Sequence, residues 1–490
     1  MAGFNKVKAK SPQVRSYEGG AVYEKSPIDA WINMLFSSFM EDQFYESAED
    51  QQQRFEELTQ KIADAYGYEF VAKAAVFTRN ELGMRSVSQF IASWLNDKSF
   101  ENKRAFYRNF MHRPDDVAEI FAAVDQLNCK RSHALVRGAA DYISSLSQHT
   151  LAKYKLNSRN YNMYDVINIT HANSHAINLY KAGELAAADT WEVNISAKSN
   201  ETERNQEWKR LVEEHKLGYM ALIRNLNNIL AISDIDNLWI KDILVPQITN
   251  RYVIINSLMF PYRFYTAYKN LNVHNLYVDN ALAEAFVIAA VENAPKLKGD
   301  SAIILDVSGS MEDRISRLSN ITLKEVGACF GIALWIANPS CTLIKFGNEA
   351  KLVNYNSLDN PFDLIKMFCK NDNCGFGTDV VPAFEKLYNT VHQSIDRVFL
   401  ISDMQIMDSA HSWLDIYGYR QRNSATVYRE YFEGIPIYSF DLANYHSQLL
   451  APSEKYIHYV TALNDQVFKF IGLLESGINL VDYINNFNYC

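Results

Sequence analysis

The sequence predicts two kinds of fold in one chain, an all-helical part followed by a doubly wound α/β part. The first prediction rests on apolar residues that recur at helical spacing through almost all of residues 28–290. The second rests on short apolar runs that alternate with helical segments after about residue 297. The length of 490 residues also exceeds what one ordinary core needs, which favours two or three domains.

The helical part consists of many short segments of ordinary helix length. Asp115 and Asp116 precede one of them, where acidic side chains complement the dipole at a helix start. Successive short helices predict stacked helix pairs of the solenoid type, although no strict repeat period is visible. The clearest periodic segments are 28–36, 70–77, 87–95, 117–124 and 220–226.

The α/β part shows five apolar runs that fit strands of a parallel sheet. Helical segments separate them, at about 322–336, 378–390 and 466–474. The predicted strands are 301–305, 341–346, 397–401, 436–440 and 455–460. The sequence thus divides into a flexible N-terminus (1–20), a helical domain (21–297) and an α/β domain (298–490).

Composition excludes several classes of protein. The 48% hydrophobic share excludes disorder, and a net charge of −9 excludes a uniformly basic nucleic-acid binder. The acidity is concentrated, because residues 298–490 carry 15 Lys and Arg against 22 Asp and Glu, whereas residues 1–297 carry 33 against 35. A confined RNA-binding face in the helical part therefore remains compatible with the acidic total.

The cysteines and the N-terminus point to the cytoplasm. None of the six cysteines forms a CxxC pair, so we expect reduced, structural thiols and no zinc ribbon. The first 20 residues lack the apolar core of a secretory signal, and no run of about 18 apolar residues could span a membrane. We expect a cytoplasmic protein without a membrane partner.

Three loops carry hard oxygen ligands of the kind that Mg²⁺ prefers. The sequence Asp306-Val307-Ser308-Gly309-Ser310 follows the first α/β strand, and Asp403 follows another apolar strand. Thr378 lies on a glycine-flanked loop before a helix. We expect the three loops to meet at the carboxyl ends of strands and to bind one divalent cation.

These loops resemble the von Willebrand factor A fold with its metal-ion-dependent adhesion site. The resemblance implies that Asp306, Ser308, Ser310 and Thr378 bind the ion directly or through water. It implies that Asp403 either binds the ion directly or contacts the residues that do. The alternative is that the serines are turn residues and Asp306 a helix cap. No general base, nucleophile pair or phosphate-binding loop accompanies the site, so we expect no enzymatic activity.

A basic segment stands out in the helical part. Residues 129–181 carry seven Lys and Arg against two Asp, together with His133 and His171. Such groups can neutralise phosphates and stack on unpaired bases. A second run contains Lys103, Arg104, Arg108 and Arg113. The alternative for both runs is an ordinary solvated helix face.

Three segments together resemble the Ro ribonucleoprotein autoantigen family, whose helical part is called the TROVE module. They are Lys153-Tyr154-Lys155 followed by 163–171, the predicted helix 219–226, and the segment 260–269. The family implies a closed ring of HEAT-like helix pairs joined by an A domain. Misfolded RNA ends thread its hole, and structured Y RNAs bind its basic outer face.

The resemblance implies an RNA-binding residue set and a set of partners. For Arg224, a buried ion pair between helices is as good an explanation as an RNA contact. For His171 taken alone, the alternative is a histidine that caps a helix or packs in the core. We expect a monomeric scaffold for Y-like and misfolded RNA that engages an exoribonuclease or another protein through its metal site. The alternative is a metal-dependent protein-interaction scaffold without RNA. The RNA candidates are Lys153, Lys155, Arg159, His171, Lys130, Arg131, His133 and Arg137.

Two departures from the family pattern mark a distant relative. Pro261-Tyr262-Arg263 stands where the family has PFH, and residues 407–433 form a Tyr- and Arg-rich elaboration. They put the identity of the RNA in doubt more than RNA binding itself.

Overall fold

The computed structural model of the chain groups its residues into two compact units. The first comprises Met1–Phe55 and Ile248–Ser476, and the second Glu56–Gln247 and Gly477–Cys490. The units therefore divide the chain elsewhere than residue 297, where the sequence texture changes. The structure describes residues 13–17, 21–37, 47–154, 156, 160–185, 190–257, 259–316, 319–356, 359–392, 394–407, 424–443, 445, 447–449, 457–460, 467–476 and 479–489.

The described residues of the second unit form helices and no strands. The long apolar periodicity of the sequence is the cause, since it gives most of these helices an apolar face that is buried. Within the described part of the chain, no helix is long and apolar enough to cross a membrane. The helices Ala48–Tyr66 and Val245–Ile248 cross the boundary between the units. The others are Tyr68–Asn80, Ser86–Trp94 with the 3₁₀ turn Leu95–Asp97, Lys103–Phe110, Pro114–Gln126, His133–Ser144, Gln148–Lys153, Met163–Thr170, His175–Ala182, Trp191–Ser196, Glu201–Glu213, Tyr219–Arg224, Leu226–Leu230, Asn237–Trp239, the π-helical Ile240–Leu244 and Leu480–Asn485.

Asp115 and Asp116, which were predicted to begin a helix, form the centre of a buried network of ion pairs. The helix Pro114–Gln126 begins on a proline, whose fixed φ and missing N–H suit that position. Asp116 accepts a hydrogen bond of 2.8 Å from Arg79 and, like Asp115, pairs with Arg85. Burial alone would raise the pKa of Asp116, but the Arg79 charge and hydrogen bonds lower it below its usual value. The acids therefore stabilise packing between helices.

The first unit contains a six-stranded mixed sheet and a small three-stranded one. The large sheet has the order β5-β4-β3-β6-β7-β9, parallel throughout except for the antiparallel edge strand β5. The small antiparallel sheet has the order β1-β2-β8. The strands are β1 (Gln13–Arg15), β2 (Ala21–Glu24), β3 (Ser301–Asp306), β4 (Thr342–Phe346), β5 (Ala350–Val353), β6 (Arg397–Ser402), β7 (Ile437–Asp441), β8 (Ser447–Gln448) and β9 (Ile457–Val460).

Helices cover both faces of the large sheet, as a doubly wound fold requires. On one face, Gly327 and Gly331 let the helix Leu323–Ala337 approach Leu305 and Ile303 closely. Ala302 and Ile304 point to the other face, where they share a core with Phe384 and other helical residues. The first unit's helices are Pro27–Ser37, Arg251–Ser257, Pro261–Lys269, Leu276–Asn293, the 3₁₀ turn Ser310–Glu312, Leu323–Ala337, Pro361–Cys369, Val381–Val391, Ser424–Phe432 and Val467–Glu475.

The fold class predicted from the sequence is confirmed, with corrections to individual elements. The segment assigned to a flexible N-terminus contains β1, which pairs with β2 in the small sheet. Strand β5 is a further correction, because the predicted sheet was wholly parallel. Both strands are too short and too polar to show a periodic pattern in the sequence. They form strands because each pairs with a neighbouring strand. The elaboration at 407–433 includes the helix Ser424–Phe432, while residues 408–423 lie outside the described part.

Candidate functional site

Three aspartates stand at the carboxyl ends of three neighbouring parallel strands. Asp306 ends β3, Asp403 directly follows β6, and Asp441 ends β7. Each is at most 1% exposed. Parallel strands of similar length bring such residues to one edge of the sheet, where open α/β folds bind their ligands.

The loop after β3 is organised around Asp306. The Ser308 amide donates to Asp306 Oδ1 at 2.8 Å, and the Ser402 hydroxyl donates to Asp306 Oδ2 at 2.6 Å. The hydroxyl oxygens of Ser308 and Ser310 are 3.4 Å apart, and Ser310 also donates to Asp403. Four of the predicted metal ligands, Asp306, Ser308, Ser310 and Asp403, therefore form one buried polar cluster.

The Thr378 loop is tied by backbone hydrogen bonds to the other two loops. The Gly309 amide donates to the Phe376 carbonyl at 2.9 Å, and the Met407 amide donates to the Thr378 carbonyl at 2.9 Å. Thr378 is 1% exposed. The sequence interpretation placed all three loops at strand ends, but this loop follows the helix Pro361–Cys369, so that detail is wrong.

The electrostatics of this cluster fit a cation. Burial raises the pKa of Asp306 above its ordinary value. Burial and then the neighbouring charge of Asp306 raise the pKa of Asp403. Among the described residues, no group of three or more His, Cys, Asp and Glu could hold a metal. A cation here would take two carboxylates, with Ser and Thr hydroxyls and water completing its shell, which is a donor set typical of Mg²⁺.

The third aspartate is neutralised by a lysine that the sequence reading did not single out. Lys25, which directly follows β2, forms a buried ion pair with Asp441. The same Nζ donates to the Tyr445 carbonyl at 2.7 Å. Burial lowers the pKa of Lys25, while the Asp441 charge opposes that shift. Asp441 is thus matched by a positive charge, whereas Asp306 and Asp403 lie together.

The N-terminal segment also holds the loop that follows Asp403. The Gln405 side chain accepts a hydrogen bond of 2.9 Å from the Tyr17 amide, and the Ser16 hydroxyl donates to the Ile406 carbonyl at 2.6 Å. Just before these contacts, between Asp403 and Gln405, Met404 adopts a left-handed backbone with φ of 60°. Sequence reasoning had no signal for these contacts, because about 390 residues separate the partners.

Two of the RNA candidates are already engaged within the second unit. Lys153 Nζ lies 3.2 Å from Glu192 and stands over the Tyr154 ring. Arg131 pairs with Asp125 and packs its guanidinium on the rings of Phe121 and Tyr161. The side chain of Arg131 is 21% exposed, so its main role is to hold two aromatic rings.

The remaining described candidates have freer side chains. Lys130, His133 and Arg137 are exposed. His171 is exposed and ends the helix Met163–Thr170 in a left-handed conformation with φ of 54°. A cap position and an exposed ring are compatible, so the cap alternative does not remove His171 from the candidates. Lys155 and Arg159 lie outside the described residues.

Comparison with known protein families finds a match to part of the chain. Residues 161–299 match the TROVE domain, a range that begins just before the helix carrying His171. The match covers 139 of the 490 residues. The resemblance to the Ro family recognised in the sequence is thereby confirmed.

Two similar proteins differ in how much of the chain they match. Telomerase protein component 1 of Rattus norvegicus is 29% identical over 89 residues, which are 18% of this chain and 3% of that protein. The chain thus spans a small fraction of that curated relative. The crystal structure of the Deinococcus radiodurans RO (RSR) protein is similar with a TM-score of 0.60 and 13% identity, covering 88% of this chain and 96% of that one. That likeness shows that the two share a fold.

Proposed function

We propose that this TROVE protein is a non-enzymatic RNA-binding scaffold of Ro type that binds structured, Y-like RNA and the ends of misfolded RNA. The observation that carries the proposal is the TROVE match over residues 161–299. It is supported by the basic segment beside it, where 129–181 carry five more positive than negative charges. Lys153 and His171 are our principal contacts, and Lys155 belongs to the same set.

The test compares two double variants that differ in location and little else. Lys153→Ala with His171→Ala removes the proposed contacts. Lys209→Ala with His215→Ala is the matched control, because Lys209 also pairs with a carboxylate and His215 is also exposed with φ of 54°. The first pair should weaken binding of a Y-like RNA about tenfold or more, since two backbone contacts are lost. The control should leave binding unchanged.

Two outcomes would overturn the RNA proposal. One is purified protein that is free of nucleic acid and shows no salt-sensitive affinity for RNA. The other is an equal loss of affinity in both double variants, which would place the contacts elsewhere. The competing function is a metal-dependent protein-interaction scaffold without RNA, and the first outcome would favour it.

We further propose that Asp306, Ser308, Ser310, Thr378 and Asp403 hold a divalent cation, Mg²⁺, which can bind a carboxylate of a protein partner. The burial of Asp306 and Asp403 beside each other supports the proposal, because a cation would offset their repulsion. An exoribonuclease is one partner of the kind that an RNA scaffold would need. The site contributes binding, and no hydrolytic role is assigned to it.

Thermal unfolding with and without Mg²⁺ tests the ligand set. Asp306→Asn should abolish the Mg²⁺-dependent rise in Tm. Asp379→Asn is the control, because Asp379 is also buried on the Thr378 loop but its Oδ1 accepts a hydrogen bond from the Val381 amide. That variant should retain the Mg²⁺ response even if it lowers the overall Tm. A normal Mg²⁺ response in Asp306→Asn would refute the site.

A further inference from the structure

A groove of about 650 Å³ lies between two helices of the second unit and contains Arg104 and Arg108 of the second basic run. It runs between Lys103–Phe110 and the end of His133–Ser144. The helices are held close at Gly138, where an added Cβ would lie 2.6 Å from Tyr107 Cβ. The polar lining residues are Asn102, Arg104, Arg108, Asn109, Asp141 and Ser144.

Charge in the groove is arranged as one paired and one available arginine. Arg104 donates from Nε and Nη2 to the two carboxylate oxygens of Asp141, both at 2.7 Å. This fork fixes the guanidinium plane and leaves its other N–H donors outside the pair. Arg108 is exposed and forms no hydrogen bond or ion pair among the described residues, but its charge adds to the Arg104 hydrogen bond in lowering the pKa of Asp141. The two arginines against one aspartate give the groove a net positive charge.

The other lining groups are held by the backbone of the same unit. Asn109 donates from its side chain to the Tyr489 carbonyl, and its own carbonyl accepts a hydrogen bond from Asn80. The Ser144 hydroxyl accepts from the Asn173 amide at 3.2 Å. The groove is therefore a preorganised surface, and its size lies within the range of small-ligand sites.

We propose that this groove binds a backbone phosphate of single-stranded RNA, with Arg108 as the direct contact and Arg104 as the oriented second donor. The proposal rests on the RNA-binding function above and extends it to a second site. Guanidinium forks match phosphate oxygens, and a fixed arginine loses little conformational entropy when it binds. Asp141 has two opposing effects, since it orients Arg104 and also repels the incoming phosphate.

The proposal can therefore be tested with two variants that should change the RNA affinity in opposite directions. The probe is a fluorescein-labelled oligouridylate, followed by fluorescence anisotropy with the full chain at several salt concentrations. Arg108→Gln should weaken binding about threefold to tenfold and reduce the slope of log K against log salt by about one unit. Asp141→Asn should strengthen binding by a similar factor, because removing the negative charge that repels phosphate outweighs the lost orientation of Arg104.

The matched control for the second variant is Asp234→Asn. Asp234 is an exposed carboxylate of the same unit, and it accepts a hydrogen bond of 2.8 Å from Lys209. The Asp234→Asn variant removes the same charge at a place outside the groove, so it should leave the RNA affinity unchanged. An abasic strand should compete with the probe as well as the oligouridylate does, since the groove recognises phosphate.

Four results would overturn the groove proposal. They are an unchanged salt slope in Arg108→Gln, equal effects of Asp141→Asn and Asp234→Asn, weaker binding in Asp141→Asn, and failure of the abasic strand to compete. The outcome also separates the two proposals. If Arg108→Gln binds normally while Lys153→Ala with His171→Ala binds weakly, the groove fails and the RNA-binding function stands. If the wild-type chain binds no RNA, the RNA-binding function itself fails.

Discussion

At the scale of single residues, the candidate cation site is defined by two buried carboxylates with little compensation. Asp306 accepts hydrogen bonds from Ser308 and Ser402, and Asp403 accepts them from the Ser310 hydroxyl and the Gln405 amide. Neutral hydroxyl and amide donors stabilise an anion less than a cation does. The site is therefore more sensitive to protons and metal ions than the network around Asp116, which contains arginines.

The cation-free protein should lose stability as the pH rises above 3.8, the ordinary pKa of aspartate. Burial raises the pKa of Asp306 and Asp403, so the folded state keeps protons that the unfolded state has released. The stabilisation is complete at acid pH and is lost as the pH rises through the raised values. Bound Mg²⁺ replaces those protons, so the increase in Tm caused by Mg²⁺ should grow with pH.

Differential scanning fluorimetry across this pH range, with Mg²⁺ or with EDTA, measures the effect. Asp403→Asn should flatten the pH dependence, because one of the two titrating carboxylates is gone. An Mg²⁺ increment that is the same at acid and neutral pH would contradict the assignment of the two aspartates.

At the scale of elements, one buried ion pair connects the N-terminal strands to the large sheet. Lys25 follows β2 and meets Asp441 at the end of β7, and both side chains are at most 1% exposed. Removing one partner of a buried pair leaves an unpaired charge in the interior. The ion pair thus connects the small sheet to the large one, whereas the pairing of β2 with β8 lies within the small sheet.

Lys25→Met should lower the free energy of unfolding by about 3–5 kcal/mol. The double variant with Asp441→Leu should recover much of that loss, because neither charge is then buried alone. Lys209→Met is the control, since its ion pair with Asp234 is exposed, and it should cost less than about 1 kcal/mol. Urea unfolding followed by circular dichroism gives the three values. Equal losses in Lys25→Met and Lys209→Met would show that the pair contributes little.

Helix packing at Gly138 gives a second prediction at this scale. Gly138→Ala places a methyl group 2.6 Å from Tyr107 Cβ and 2.7 Å from the Arg104 carbonyl, both on the neighbouring helix. The helices must separate, which should cost about 1–3 kcal/mol. Gly218→Ala is the control, because nothing lies within 4 Å of its added Cβ and its φ is −60°. Thermal unfolding should separate the two variants clearly.

At the scale of the whole chain, net charge and local charge have different consequences. The total of −9 is concentrated in residues 298–490, whereas 129–181 carry a local excess of +5. Charges are screened within about 8 Å at physiological salt. An RNA strand therefore responds to the basic side chains that it contacts far more than to charges beyond that distance.

RNA affinity should fall with salt despite the acidic total. A plot of log K against log salt should have a slope of about −2 to −4, as expected for about three to five phosphate contacts. Asp363→Asn removes an exposed negative charge from the helix Pro361–Cys369 and should leave both affinity and slope unchanged. An affinity that does not depend on salt would contradict binding through a basic face.

The sequence predicted most of the fold and four residues that the structure brings together in one buried polar cluster, Asp306, Ser308, Ser310 and Asp403. Helical spacing found segments such as 70–77, and apolar runs found β3, β4, β6 and β7. It failed for β1 and β5, which have too few residues for a period to show. It also ranked Arg131 with the RNA contacts, because sequence distance gives no sign that Tyr161 and Phe121 cover it.

The sequence by itself determined the fold class, the likeness to the Ro family, and the aspartates and hydroxyls at the carboxyl ends of strands. These follow from local periodicity and short motifs, which need no knowledge of distant contacts. Only the tertiary structure decided that Lys25 neutralises Asp441, that Ser402 holds Asp306, and that Arg104 and Arg108 share one groove. Each of these depends on residues brought together across long stretches of chain, and burial and charge pairing act only once those residues meet.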